Sequence, residues 1–412
     1  MIRDRSNIKI RRATIEDGSI IEKFYYEAFA ESTSLKYPLR WNWLYIENPF
    51  FKTTFKLPLW IALDKDRVVG MAGSMQCRFQ INQSTIKAAW GCDFRVSSDF
   101  RGKGLGKALE KARLSSLNFF SLDMSKVSRL VKTKHGALTG KAALNFLYIN
   151  RLEPFFLFKD FLRYLHLKIN ENSAIYKISL TLGLHKVIST IVCSLFNFRS
   201  KKKQTLLVDS ILSNLEFKNV DYFDEAVSRL WENIGKKYSL AVCRDSTYLN
   251  WKFVQQPNIN YQRYIVLDKG QLCGILIFRI GEEPEIPVGT IAEAYTSKGS
   301  AALKEMIAFA IKSLNDQGAL IIKCTSSTAI LSEILVDLGF RSFEYYVPVF
   351  LLNDKNWLLH QRALEGEWFL SLGDQDLDEY PRASQPSLKQ IIQVISGKII
   401  GQENLPNPDS PE

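Results

Sequence analysis

From Asp93 to Leu109 the chain reads Asp-Phe-Arg-Val-Ser-Ser-Asp-Phe-Arg-Gly-Lys-Gly-Leu-Gly-Lys-Ala-Leu, with Gly102, Gly104 and Gly106 set among Arg101, Lys103 and Lys107. Glycine lets the backbone approach a ligand closely and adopt positive φ. An apolar stretch (Ala88, Ala89, Trp90, Phe94, Val96) leads into this loop, and Ala108, Leu109, Ala112, Leu114 and Leu117 follow it in a helical pattern. Strand, glycine turn and helix aim backbone N–H groups and the positive helix end at a phosphate. Two common phosphate loops do not fit. The nucleoside-triphosphate loop needs glycine where Arg101 stands and Ser or Thr where Ala108 stands. The dinucleotide fingerprint needs G-x-G-x-x-G early in a βαβ unit, whereas the spacing here is G-x-G-x-G, about a hundred residues in.

The run Arg101-Gly102-Lys103-Gly104-Leu105-Gly106, behind a strand ending at Val96, resembles the R-x-x-G-x-G/A pyrophosphate loop of the GCN5-related N-acetyltransferase (GNAT) superfamily. The resemblance implies acetyl-CoA as co-substrate, its pyrophosphate on Arg101, Gly102, Lys103, Gly104, Leu105, Gly106 and Lys107. The strand backbone at Val96 would then contact the pantetheine arm and polarise the thioester carbonyl. In that family a tyrosine on a helix reprotonates the departing thiolate, and Tyr148 stands at the matching place. Two departures accompany it: Glu153-Pro154-Phe155 replaces the usual Gly-Phe, and Lys141 replaces a CoA-binding Asn. Asp93 is the candidate general base, directly or through water; the alternative is a structural carboxylate paired with Arg95 or Arg78. Cys92 reads as a buried strand residue.

Composition bounds the partners. The chain has 412 residues, 46% hydrophobic and 24% charged, which fits a globular protein of two or three domains. The net charge of +11 favours anionic partners such as CoA phosphates, a nucleotide-linked substrate or a membrane surface. No nucleic-acid module is recognisable. Six scattered cysteines without C-x-x-C pairs, beside four histidines, form no zinc pattern. The charged start Met1–Asn7 has no apolar signal region, so a cytoplasmic protein is expected.

The remaining elements must position the loop. Residues 8–14 alternate as a strand, Thr14 caps a helix through about Phe29, and 59–63 with 68–73 read as a hairpin. Strands are expected at 78–81, 86–96 and 127–132, a helix from Thr139 through Tyr148, and a strand at 155–158. Helix, hairpin, strand, loop, helix is also the GNAT order. Trp41 and Tyr45 lie in an aromatic segment, read either as core or as substrate lining. Residues 159–203 carry apolar faces and basic residues, ending in Lys201–Lys203. They read as an interdomain helical hairpin or as a peripheral contact with an anionic membrane surface.

From Leu206 the order repeats. Tyr248 and Trp251 echo the Trp41–Tyr45 segment and are likewise candidates for substrate lining; 264–278 form a hairpin, 290–295 a strand, 301–314 a helix, 319–324 a strand and 331–338 a helix. The counterpart loop, Ser297-Lys298-Gly299-Ser300, lacks the arginine and the spaced glycines. The expected fold class is therefore α/β (α+β): two tandem GNAT folds with mixed central sheets flanked by helices, joined by a helical insert. The divisions are 1–158, 159–204, 205–355, an extension at 356–403 and a disordered tail at 404–412. Asp374, Asp376 and Asp378 fail the calcium-loop spacing; they read as a solvated acidic turn, with Asp374 a candidate acceptor contact. The Tyr-Leu-x-Trp-Lys-Phe segment and the run Trp368–Asp376 resemble bacterial tandem acetyltransferase-like proteins of surface-polysaccharide synthesis. That resemblance implies an N- or O-acetyltransferase acting on an amino sugar or sugar nucleotide. The alternatives are aminoacyl transfer as in FemABX proteins and a non-catalytic acyl-CoA-binding scaffold.

Overall fold

The computed structural model describes residues 8–29, 33–51, 55–123, 126–152, 215–281, 287–352 and 364–378, with single positions at 190, 193, 194, 391 and 394. The connector expected at 159–204, apart from positions 190, 193 and 194, the strand at 155–158 and the tail at 404–412 lie outside the described residues.

The first half begins with β1 (Ile8–Thr14), α1 (Gly18–Phe29), α2 (Thr33–Lys36) and α3 (Leu39–Trp41), which continues into a wider π-helical turn at Asn42–Ile46. Then come β2 (Lys56–Asp64), β3 (Arg67–Ile81), β4 (Ser84–Val96), α4 (Leu105–Leu114), β5 (Phe119–Asp123), α5 (Lys126–Thr133), β6 (Leu138–Thr139) and β7 (Ala143–Ile149). The second half runs β8 (Glu216–Asn219), α6 (Glu225–Gly235), β9 (Leu240–Val242), α7 (Ser246–Phe253), β10 (Gln262–Asp268), β11 (Gln271–Ile280) and β12 (Val288–Thr296). It continues with α8 (Ser300–Asp316), β13 (Ile321–Ser326), α9 (Ala329–Asp337) and β14 (Arg341–Leu351), and the short β15 (Trp368–Phe369) follows.

Local chemistry accounts for much of this. Thr14 and Asp17 cap each other reciprocally at the entry to α1. Lys65 and Asn82 take positive φ at the tight turns that close the β2–β3 and β3–β4 hairpins. Asp245 accepts from the Tyr248 N–H at 2.9 Å and starts α7.

Two expectations are corrected. Residues 127–132 form part of α5, because Val127, Leu130 and Val131 recur at helical rather than alternating spacing. Residues 143–149 form strand β7, not a helix. Every residue of β7 is buried, so this run, apolar except for Asn145, belongs to a strand covered on both faces, a pattern that periodicity cannot tell from a buried helix.

The two halves share one mixed sheet with helices on its faces, in the order β1-β2-β3-β4-β5-β14-β7-β13-β12-β11-β10-β8. Its centre is an exchange. β14, late in the chain, pairs with β5 of the first half (Val347 opposite Asp123, Leu351 opposite Phe119). β7, from the first half, pairs with β13 of the second (Ile321 opposite Ile149, Ser326 opposite Leu144). The two exchanged strands then pair with each other, antiparallel, from Arg341–Leu147 to Tyr346–Ala143.

One apolar cluster crosses from Leu44 and Trp90 to Trp251 and Trp368. Trp43 and Trp251 stack with ring centroids 4.6 Å apart. Each indole donates to the other's backbone carbonyl, Trp43 Nε1 to Trp251 O at 2.9 Å and Trp251 Nε1 to Trp43 O at 3.2 Å. The aromatic segments that echo one another in sequence therefore meet in space. Trp251→Ala should destabilise the protein by about 3–5 kcal/mol, since it empties a large buried volume and orphans the Trp43 carbonyl. Chemical denaturation checks this; an unchanged midpoint would show that the contact does not hold the halves together.

Candidate active site

The site is a wedge in the sheet. β4 and β5 run parallel and pair only at Ala89–Phe119 and Trp90–Phe120. Beyond Trp90, β4 continues to Val96 paired with β3 alone on its other side, through a register shift between Met71 and Gly73. The wedge opens towards the glycine loop.

The loop is held from below. Phe100 is buried in a cluster with Trp60, Val69, Ala72, Leu105 and Leu109. Arg101 Nε donates to the Val96 carbonyl at 3.0 Å, and Lys103 Nζ to the Asp99 carbonyl at 2.5 Å. Gly102 and Gly104 have φ of 72° and 80°, a region costly for a residue with a Cβ, and Gly104 is the N-cap of α4. Helix geometry leaves the N–H groups of Leu105, Gly106 and Lys107 without intrahelical acceptors. A Cβ on Gly106 would lie 3.2 Å from the Phe94 ring, so glycine there lets Phe94 lie close against α4. Arg101, Lys103 and Lys107 are exposed around this positive helix end. Loop residues predicted from sequence thus converge in one place, an exposed anion-binding geometry at the mouth of the wedge.

The wedge has a polar floor. Gln375, 284 residues along the chain from Gly91, inserts its side-chain amide between the strands: Nε2 donates to Gly91 O at 2.8 Å and Oε1 accepts from Leu122 N at 2.7 Å. On the α4 side Arg113 is buried, donating to Gly73 O at 2.7 Å and to both carboxylate oxygens of Glu110.

Asp93 sits on β4 but does not face the wedge as a base. Its carboxylate is fully buried, accepting from Lys36 Nζ at 2.9 Å, Arg40 Nη1 at 2.9 Å, Tyr45 OH at 2.9 Å and Tyr25 OH at 3.1 Å. Burial pushes the carboxyl up, but the Arg40 and Lys36 charges and hydrogen bonds outweigh it and hold it well below the usual carboxylate range. A group so occupied has no lone pair to take a substrate proton. Its partners are Lys36 and Arg40, not the expected Arg95 or Arg78; Arg78 instead pairs with Asp245.

Tyr148 is also displaced from the expected role. It lies on β7, within the second half's apolar cluster and 5.2 Å from the Phe340 ring centroid. Burial raises its hydroxyl to about 12. Trp41, Tyr45, Tyr248 and Trp251 are all core side chains. Asp374 is not solvated: it pairs with Arg244 at 2.8 Å, both side chains fully buried, and Arg244 also pairs with Glu293 at 3.0 Å. Asp378 pairs with Arg279 and accepts from Tyr261 OH at 2.9 Å. The acidic turn is a buried bolt. The sequence reading missed Lys36, Arg40 and Gln375; for the first two the available signal was a pair of cations four residues apart within an otherwise aromatic segment.

The model of the Acetyltransferase (GNAT) family matches residues 22–116, which run from within α1 through β2 to β4, the glycine loop and α4. Over these residues the chain has the GNAT fold. No curated protein matches the chain. Solved structures extend the likeness over both halves. A GCN5-related N-acetyltransferase from Anabaena variabilis is 11% identical, covering 84% of this chain and 73% of its own, with a TM-score of 0.52. A probable N-acyltransferase from Enterococcus faecalis is 11% identical, covering 84% and 72%, with a TM-score of 0.53. Saccharomyces cerevisiae N-myristoyltransferase with bound myristoyl-CoA is 10% identical, covering 85% and 84%, with a TM-score of 0.50. At such identity what is shared is the fold.

Asp93→Asn leaves Lys36 and Arg40 buried beside a neutral amide and should cost about 3–5 kcal/mol. Because the folded carboxyl lies below the unfolded value of about 3.9, its stabilisation is complete above that pH and is lost as pH falls below it. Melting temperature against pH should therefore drop more steeply on the acid side for wild type than for Asp93→Asn. Parallel acid limbs would remove the ionised carboxylate from the account.

Proposed function

We propose that this protein is an acyl-CoA-dependent acetyltransferase whose first half binds acetyl-CoA and whose second half forms the acceptor side. The carrying observation is the exposed glycine loop, with two left-handed glycines, at the N-terminus of α4 and the open end of the β4–β5 wedge. The loop N–H groups and the helix end suit a pyrophosphate, with Arg101, Lys103 and Lys107 adding positive charge around it. A pantetheine arm following β4 past Val96 would bring the thioester into the wedge. A backbone N–H of the strand then polarises the carbonyl as the acceptor nitrogen or oxygen attacks its carbon; the acceptor's proton passes to solvent water, and the C–S bond breaks to release CoA thiolate, which water reprotonates. The counterpart turn Ser297–Ser300 has only Gly299 at positive φ, and Lys298 there pairs with Asp268, so CoA is assigned to the first half alone.

The acceptor is proposed to be an amino sugar or sugar nucleotide. Support for that class is the loose resemblance of the Trp368–Asp376 run to polysaccharide-associated proteins, together with the net charge of +11, which suits a nucleotide-linked sugar. Among the described residues no helix is long and apolar enough to cross a membrane.

Calorimetric titration with acetyl-CoA tests the donor. Wild type should bind, and the Arg101→Ala/Gly104→Val double variant should lose binding about a hundredfold or more, because valine is strained at a φ of 80° and the loop arginine is gone. Absence of binding by folded wild type would turn the reading towards aminoacyl transfer.

A further inference from the structure

Resting on the acyl-CoA reading, we propose that Gln375 is the floor of the acyl-binding wedge and confines the donor to short acyl chains. The position follows from the strand ladder. The pairs Ala89–Phe119 and Trp90–Phe120 are regular. At the next step along β4 the ladder is replaced by the Gln375 amide, bonded to Gly91 O on one strand and Leu122 N on the other. The side chain satisfies the two backbone groups that the separating strands would otherwise orphan, so it closes the apex with hydrogen bonds as well as bulk.

The floor is rigid. Asp374, the residue before it, is locked to buried Arg244, and the Gln375 carbonyl accepts from Lys252 Nζ at 2.9 Å. Behind it the sheet is solid aromatic: Phe79 and Phe120 stack at 4.1 Å, and Trp90 and Phe350 lie against Phe120 at 5.9 and 5.8 Å. A Cβ on Gly91 would already lie 2.6 Å from the Phe119 ring. From Val96 to Gly91 the strand offers roughly 16 Å at about 3.3 Å per residue, and an arm anchored at the glycine loop uses most of that length before its thioester is placed. A two-carbon acyl group ends above the amide. A long chain must either displace the amide, orphaning Gly91 O and Leu122 N, or turn out into water.

The test is calorimetric binding of free CoA, acetyl-CoA, butyryl-CoA, octanoyl-CoA and myristoyl-CoA to wild type and to Gln375→Gly. Glycine accepts the φ of 53° at this position, so the turn itself is not strained by the change. Wild type should bind acetyl-CoA about tenfold or more tightly than octanoyl-CoA. Gln375→Gly, with circular dichroism and melting checked against wild type, should close that gap by roughly tenfold, each methylene newly buried being favourable. Octanoyl- or myristoyl-CoA binding wild type as tightly as acetyl-CoA overturns the floor without any variant. A folded Gln375→Gly with an unchanged chain-length profile overturns it as well. In both cases CoA binding stands and the acetyltransferase reading survives. If wild type binds neither free CoA nor any thioester, the donor reading fails and this inference falls with it.

Discussion

The molecule depends on the backbone pairing of β7 with β14 at the centre of the sheet. Each strand leaves its own half to complete the other's sheet: β14 lies against β5, and β7 against β13. Without the exchange, β5 and β13 would be open edges in a largely apolar interior, with rows of unpaired N–H and C=O groups. Neither half is therefore complete alone, and a division of the chain at any single point near 158 or 205 cuts across the hydrogen-bond ladder.

Several features on the two sides of that seam are alike. Trp43 and Trp251, from corresponding aromatic segments, stack and exchange indole–carbonyl hydrogen bonds. β4 carries buried Asp93 with Lys36 and Arg40; β12 carries buried Glu293 with Arg244. In both, a carboxylate on the strand fixes a neighbouring segment through cations that burial alone would disfavour. Removing one partner of such a pair is costly because the remaining charge stays in a medium that cannot solvate it. The Asp93 group holds β4, one of the two strands that frame the wedge.

The wedge exists because β4 and β5 part after two paired positions, and the turn at 371–378 makes the parting stable. That turn is tied to both halves at once, through Gln375 to Gly91 and Leu122 and through Gly373 N–H to Ala292 O. Two of its acids, Asp374 and Asp378, are paired with buried Arg244 and Arg279. A segment distant in sequence thereby sets the depth of a cleft whose mouth is built by residues 101–107.

The sequence alone determined the features whose causes are local. The glycine loop, its preceding strand and following helix, the hairpins, and the repetition of element order all follow from turn chemistry and side-chain period, which act over a few residues. Tertiary structure decided what local pattern cannot encode. The run at 143–149 is apolar on both strand faces apart from Asn145, so only its neighbours β13 and β14 make it a strand. Asp93 looked like a base on a strand leading to the loop, and became a structural anion because α2 and α3 bring Lys36 and Arg40 to it. Tyr148 left the expected site when its strand crossed to the other half, and Asp374 left solvent when Arg244 reached it. Gln375 carried no signal at all. Its meaning lies in two backbone groups more than 250 residues away, and a hydrogen bond of that span leaves no periodicity or spacing in the chain.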